Sequence, residues 1–155
     1  MAGGRVHAHR ISGPILMAEK GGNLPFPEWA SFYVGIPFVV HGRDRVQGVD
    51  CWGLVRMVYA DRYGIDLPSW ADAYDDLDDR RGIAAVVTDE RRVWRVADRP
   101  AEGDVILMRA GDLPHVGVWL TPRRMLHTRE RVGARVGFIG GEFFAVEGVF
   151  RHVGR

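Results

Sequence analysis

The chain has 155 residues, which suits a single domain with a substantial core. Its hydrophobic content of 46% and charged content of 26% are ordinary for a globular protein, and a net charge of +1 argues against a dedicated nucleic-acid-binding protein. One cysteine excludes an internal disulfide and a multi-cysteine zinc site.

The first 23 residues are rich in glycine and weakly patterned, so we expect residues 1–23 to form a loosely ordered arm and residues 24–155 to form one domain. His7 and His9 have no further ligand nearby, and we expect neither a metal nor a cofactor. No apolar run is long enough for a signal peptide or a membrane span. We therefore expect synthesis in the cytoplasm, no membrane insertion, and another carrier if the protein acts outside the cytoplasm.

Pro27 predicts the start of a short helix whose apolar face includes Trp29, Phe32 and Tyr33. Further along, residues 72–92 are strongly charged, and they predict one or two helices interrupted at Gly82.

A longer helix is predicted to begin at the cysteine. The spacing i, i+3, i+4, i+7, i+8 of its buried face is met by Cys51, Leu54, Val55, Val58 and Tyr59. The preceding aspartate suits an N-cap, and Gly64 suits the C-terminal end. Cys51 then lies in the first turn, where the helix dipole favours a thiolate, a better nucleophile than a thiol. The alternative is a buried structural cysteine.

After Pro100 the pattern changes to short apolar runs that predict strands. These runs are Val105–Met108, Val116–Leu120, Met125–Thr128 and Phe143–Phe150. Helices followed by an antiparallel meander indicate an α+β fold.

Two histidines lie in this predicted sheet, with His115 at the start of one strand and His127 in the next. A two-residue turn at Pro122 and Arg123 would place them on opposite faces, whereas an odd-numbered loop centred on Thr121 would place them on one face. The spacing permits a contact between them and does not require it. Catalysis by a cysteine nucleophile uses a thiol, a histidine that acts as base, and a third group that orients the base. Cys51, His115 and His127 are residues of the types that this chemistry requires.

In six motifs that occur in family order, the chain resembles the NlpC/P60 family of cell-wall cysteine peptidases. The motifs are Gly35–Phe38, Asp50–Val55, Gly64–Pro68, Glu102–Leu107, His115–Val118 and Met125–His127. The resemblance implies a papain-like α+β fold in which N-terminal helices include a nucleophile helix packed on a small antiparallel sheet. It implies cleavage of peptidoglycan stem peptides, often between D-γ-glutamate and a diamino acid. By position, Cys51 is the nucleophile, His115 the base and His127 the orienting residue.

Two departures from the family pattern affect the predicted function. Trp52 stands where serine is common, and with the preceding Gly-Arg-Asp segment it resembles the subgroup found in tails of phages and gene transfer agents. That subgroup implies tail-tip or baseplate partners, action in the periplasm or cell wall, and delivery by a particle, for which no signal peptide is needed. Phe38 replaces the tyrosine whose hydroxyl helps to bind the oxyanion, so we expect reduced turnover unless Tyr33 or His41 substitutes.

These departures leave two alternatives to a peptidase. One is a structural tail-tip protein that docks through Phe143–Phe150 without cutting, and the other is an amidase or acyltransferase that uses the same three residues.

Overall fold

The structure is a computed structural model that describes residues 24–69, 93–141 and 144–155. The predicted N-terminal arm and the predicted helices of residues 72–92 lie outside the described residues. None of the helices in the described ranges is long and apolar enough to cross a membrane.

Helix α1 spans Cys51–Tyr63, as predicted, and local capping sets both of its ends. The Asp50 side chain accepts a hydrogen bond from the Gly53 backbone N–H at 2.8 Å, and Gly64 adopts the left-handed conformation that ends a helix. The predicted short helix after Pro27 is a 3-10 helix over Glu28–Tyr33. Its predicted apolar face is wrong at Phe32, which is 71% exposed.

The remaining strands form two antiparallel sheets. The small one joins β1 (Arg43–Asp44) to β2 (Gly48–Val49) directly before α1. The large one contains β3 (Trp94–Val96), β4 (Val105–Ala110), β5 (Leu113–Thr121), β6 (Arg124–Arg129), β7 (Gly133–Phe138) and β8 (Ala145–His152). Its strand order is β3-β8-β4-β5-β6-β7.

The prediction of a simple meander holds for β4 to β7 and is wrong for β8, which lies between β3 and β4. The outer edge of β7 is occupied instead by the segment before the cysteine. Gly35 donates to the Ala134 carbonyl at 2.9 Å, and Ala134 donates back to the Ile36 carbonyl at 2.8 Å. The strand predicted at Phe143–Phe150 is observed as β8, which pairs with β4 over residues 145–150 and with β3 only over residues 150–152. Its proposed role in docking a partner stays a prediction.

The sequence pattern misses both strands of the small sheet and two strands of the large sheet, and it misplaces the start of another. β7 contains two glycines and an arginine, and β3 is only three residues long, so neither has a strong period-2 pattern. β5 begins at Leu113, so that His115 is its third residue rather than its first.

The main core lies between α1 and the sheet. α1 buries Leu54, Val55, Val58 and Tyr59 in a cluster with apolar residues of β4 to β7. These apolar residues are Val105, Leu107, Val116, Val118, Leu120, Leu126, Ala134 and Val136. The predicted α+β fold, with the cysteine helix packed on an antiparallel sheet, is confirmed.

Candidate active site

Cys51 is the first residue of α1 and is 2% exposed. The first turn of a helix presents backbone N–H groups and the positive end of the helix dipole, so this position favours a negatively charged sulfur. The predicted place of the cysteine, at the N-terminus of the buried helix, is therefore confirmed.

The carboxylate of Asp50 fixes the backbone immediately before the cysteine. Its Oδ1 accepts from the Gly53 N–H at 2.8 Å and from Arg43 Nη1 at 2.8 Å, and its Oδ2 accepts from the His41 N–H at 2.9 Å. Arg43 continues the network to Ser69, whose carbonyl accepts from Nη2 at 2.7 Å. The sequence predicted the N-cap and missed the rest of this hydrogen-bond network, because the other partners lie in the loop before α1 and in the chain beyond it.

Gly53 permits this loop to pack closely against α1. A Cβ at this position would lie 2.2 Å from the Gly42 carbonyl oxygen, a backbone atom that cannot move aside cheaply. The glycine two residues after the cysteine is therefore needed for the position of the loop that holds Asp50.

His115 and His127 are in direct contact. His115 Nε2 lies 3.0 Å from His127 Nδ1, and both rings are buried. Which nitrogen carries the shared hydrogen depends on the tautomer. The contact that the spacing left open is therefore present.

A bulge in β5 puts the two histidines on one face. Thr121 pairs with Arg124 across the two-residue turn, but the register shifts between Trp119 and Thr121, so β5 carries one extra residue, Leu120. With the two-residue turn alone, the histidines would point to opposite faces of the sheet; the extra residue places them on the same face. Neither predicted arrangement is correct by itself, because the two-residue turn and the same-face placement occur together.

Two neighbours that the sequence did not indicate hold the histidine pair. The Phe144 ring stacks on His115 at a centroid distance of 4.9 Å and meets His127 edge-on at 5.4 Å. On the other side, Gly137 packs against His127 so closely that a Cβ there would lie 2.7 Å from His127 Nε2. The His127 ring is therefore confined on several sides.

Burial, together with the smaller effect of the positive charges of Arg135 and Arg129, lowers the pKa of His127 to about 3. His127 is therefore neutral at physiological pH.

Phe38 lies close in the fold to the residues that precede the cysteine. Phe38 forms a parallel bridge with Val49, two residues before the cysteine, and carries no hydroxyl. Of its predicted substitutes, Tyr33 is engaged elsewhere, since its hydroxyl donates to Asp61 Oδ2 at 2.8 Å. His41 stays close to the cysteine through its backbone bond to Asp50.

The profile of the NlpC/P60 family matches residues 35–146. The chain belongs to the NlpC/P60 family. No curated protein sequence gives a significant match.

Solved structures of similar fold include the NlpC/p60 domain of the peptidoglycan hydrolase SagA, with 21% identity, a TM-score of 0.53, and coverage of 77% of this chain and 91% of that one. An NLP/P60 protein of Staphylococcus aureus, described as similar to lipoprotein, has 24% identity and a TM-score of 0.56 over 79% of this chain and 38% of that one. An NlpC/P60 family protein of Bacillus cereus has 21% identity and a TM-score of 0.54 over 79% and 37%. The chain thus spans well under half of the latter two proteins.

These comparisons confirm the predicted family and fold. The roles of Cys51, His115 and His127, the bond that is cut and the tail subgroup remain predictions.

Proposed function

We propose that this protein is a cysteine peptidase that cleaves peptidoglycan stem peptides, with Cys51 as nucleophile, His115 as base and His127 as the residue that orients the base. The observation that carries this proposal is the 3.0 Å contact between His115 and His127. Burial of two histidines in contact is unfavourable for stability alone, and it suits a base that must be held in one orientation.

In the proposed reaction, Cys51 Sγ attacks the carbonyl carbon of the scissile amide while His115 takes the thiol proton. Because Nε2 of His115 is engaged with His127, Nδ1 is the nitrogen that exchanges this proton. The proton passes to the amine as the C–N bond breaks, which leaves a thioester on Cys51. Water then attacks the thioester, His115 accepts a proton from it, and the thiol is released.

The finer proposal for the substrate is the bond between D-γ-glutamate and a diamino acid. Wild type and Cys51→Ala should be incubated with purified peptidoglycan, and the soluble products should be analysed by mass spectrometry. A fragment that ends at D-glutamate, absent with the variant, is the expected result. A product cut at a different amide would favour an amidase.

Because Cys51 is the only cysteine, alkylation of the whole chain reports on this thiol alone. We expect a pH-dependent alkylation rate that changes when His115 is replaced by alanine. If no peptidoglycan fragment is released and alkylation is equally slow with and without His115, the peptidase proposal fails.

We also infer that the protein is carried on the tail of a phage-like particle and acts in the periplasm or cell wall, with tail-tip or baseplate proteins as partners. Trp52 and the Gly-Arg-Asp segment at 42–44 support this subgroup. Both also make structural contacts. Trp52 Nε1 donates to the Pro68 carbonyl at 2.9 Å, and Arg43 binds Asp50. Mass spectrometry of purified particles should detect the chain. Its absence from particles that are otherwise complete would contradict this carrier.

The absence of a hydroxyl at Phe38 favours a second candidate, a structural tail component without activity. This candidate predicts that particles carrying Cys51→Ala assemble and infect normally. Peptidoglycan fragments released by wild-type particles and not by the variant would exclude it.

A further inference from the structure

A concavity of about 540 Å³ opens at the ends of β3 and β8, and it is separate from the histidine pair. Its polar lining residues are Arg95, Asp98, Arg99, Arg151, His152 and Arg155. This volume lies within the range of small-molecule sites.

The sheet register sets the separation between the concavity and the histidines. β4 lies between β8 and β5 in the sheet. Val105 of β4 pairs with Phe150 of β8 and with Val118 of β5. Arg151 is therefore roughly 15 Å from His115, by the usual spacing between strands and between residues.

A fully buried carboxylate holds two of the arginines in place. Asp104 Oδ1 accepts from Arg151 Nε at 2.9 Å and from Arg155 Nη1 at 2.7 Å, while Oδ2 accepts from Arg151 Nη2 at 2.7 Å. Burial by itself raises the pKa of Asp104, but hydrogen bonds from Arg151, the Ala101 N–H and Arg155 outweigh it and lower that pKa. The carboxylate stays ionised, and the two guanidinium groups are positioned before any ligand arrives.

The concavity carries an excess of positive charge. Four arginines face two carboxylates, since Asp98 is the acidic residue of the lining and Asp104 lies beneath it. Within the described part of the chain, the guanidinium groups of Arg95 and Arg99 make no ion pair. Arg95 is the cross-strand partner of Arg151, and like charges directly opposite each other in a sheet are unfavourable unless an anion binds between them.

We propose that this concavity binds a phosphate-bearing ligand. Guanidinium groups bind both carboxylates and phosphates through paired N–H donors. A terminal phosphate offers three acceptor oxygens and up to two charges, which matches several converging arginines better than the two oxygens of a carboxylate. This site is independent of the proposed peptidase activity.

Pyrophosphate is a suitable probe, and binding to the full chain can be followed by NMR titration. The test variant is Arg95→Ala with Arg99→Ala, which leaves the Asp104 network intact because Arg151 contacts only the backbone carbonyl of Arg99. The control is Arg123→Ala with Arg131→Ala, which removes the same charge from the turns that flank β6.

We expect saturable binding with shifts confined to residues 93–99 and 151–155, weakened at least tenfold in the test variant and unchanged in the control. Equal weakening in both variants would mean general charge attraction and would overturn the proposal. No saturable binding, or tighter binding of citrate than of pyrophosphate, would overturn it as well.

Discussion

The substitution Gly137→Ala tests how closely the structure must hold the His127 ring. The new Cβ would lie 2.7 Å from His127 Nε2 and 3.3 Å from Cδ2, whereas ordinary contact begins at 3.4 Å. The ring must therefore retreat from the Cβ by about 0.7 Å, the difference between 2.7 and 3.4 Å. The ring centroids of His115 and Phe144 lie 5.3 and 5.4 Å from that of His127, so these neighbours restrict its movement.

Two effects follow from this displacement. Overpacking of a buried site costs about 1–3 kcal/mol of stability. In the proposed mechanism His127 orients the base, and a misplacement of about 1 Å in such a group reduces activity by about 100-fold. We therefore expect a kcat/KM on peptidoglycan fragments roughly two orders of magnitude below wild type, in a protein that still folds.

Urea unfolding and peptidoglycan hydrolysis should be measured together on Gly137→Ala and on Gly141→Ala. Gly141 is a matched control, because a Cβ there meets nothing within 4 Å. The control should be unchanged in both measurements. Wild-type stability and wild-type activity in Gly137→Ala would refute the reasoning that close packing at this glycine positions His127.

Three further predictions follow from buried groups and from the oxyanion position. The neutral state of His127, whose pKa of about 3 in the folded protein lies below the ordinary 6.5, means that the unfolded chain takes up a proton first as the pH falls. Urea unfolding should therefore show a loss of about 2 kcal/mol between pH 7 and pH 5 that is absent in His127→Gln, and parallel profiles would contradict this. Asp104→Asn should cost about 3–5 kcal/mol in the same assay, while the exposed Asp66→Asn should cost less than about 1 kcal/mol; similar losses would refute the role of the buried carboxylate. Phe38→Tyr should raise kcat by up to about 100-fold if a hydroxyl there reaches the oxyanion, and Phe32→Tyr, at an exposed site, should leave kcat unchanged.

The candidate site was predictable wherever local interactions decide the structure. The N-cap of Asp50, the start of α1 at Cys51 and its end at Gly64 depend on residues within a few positions of one another. The fold class could also be predicted, because the family motifs and their order along the chain are visible in the sequence.

Long-range pairing decided the rest. The extra residue Leu120 places His115 and His127 on one face, and a one-residue change in register is invisible in the spacing of twelve between them. The partners of Asp104 lie 47 and 51 residues away, at positions that carry no local signal. The sequence by itself determined the helix, its caps and the family. The tertiary structure decided whether the two histidines contact each other and which charges are buried, because both depend on strand register and on contacts between distant segments.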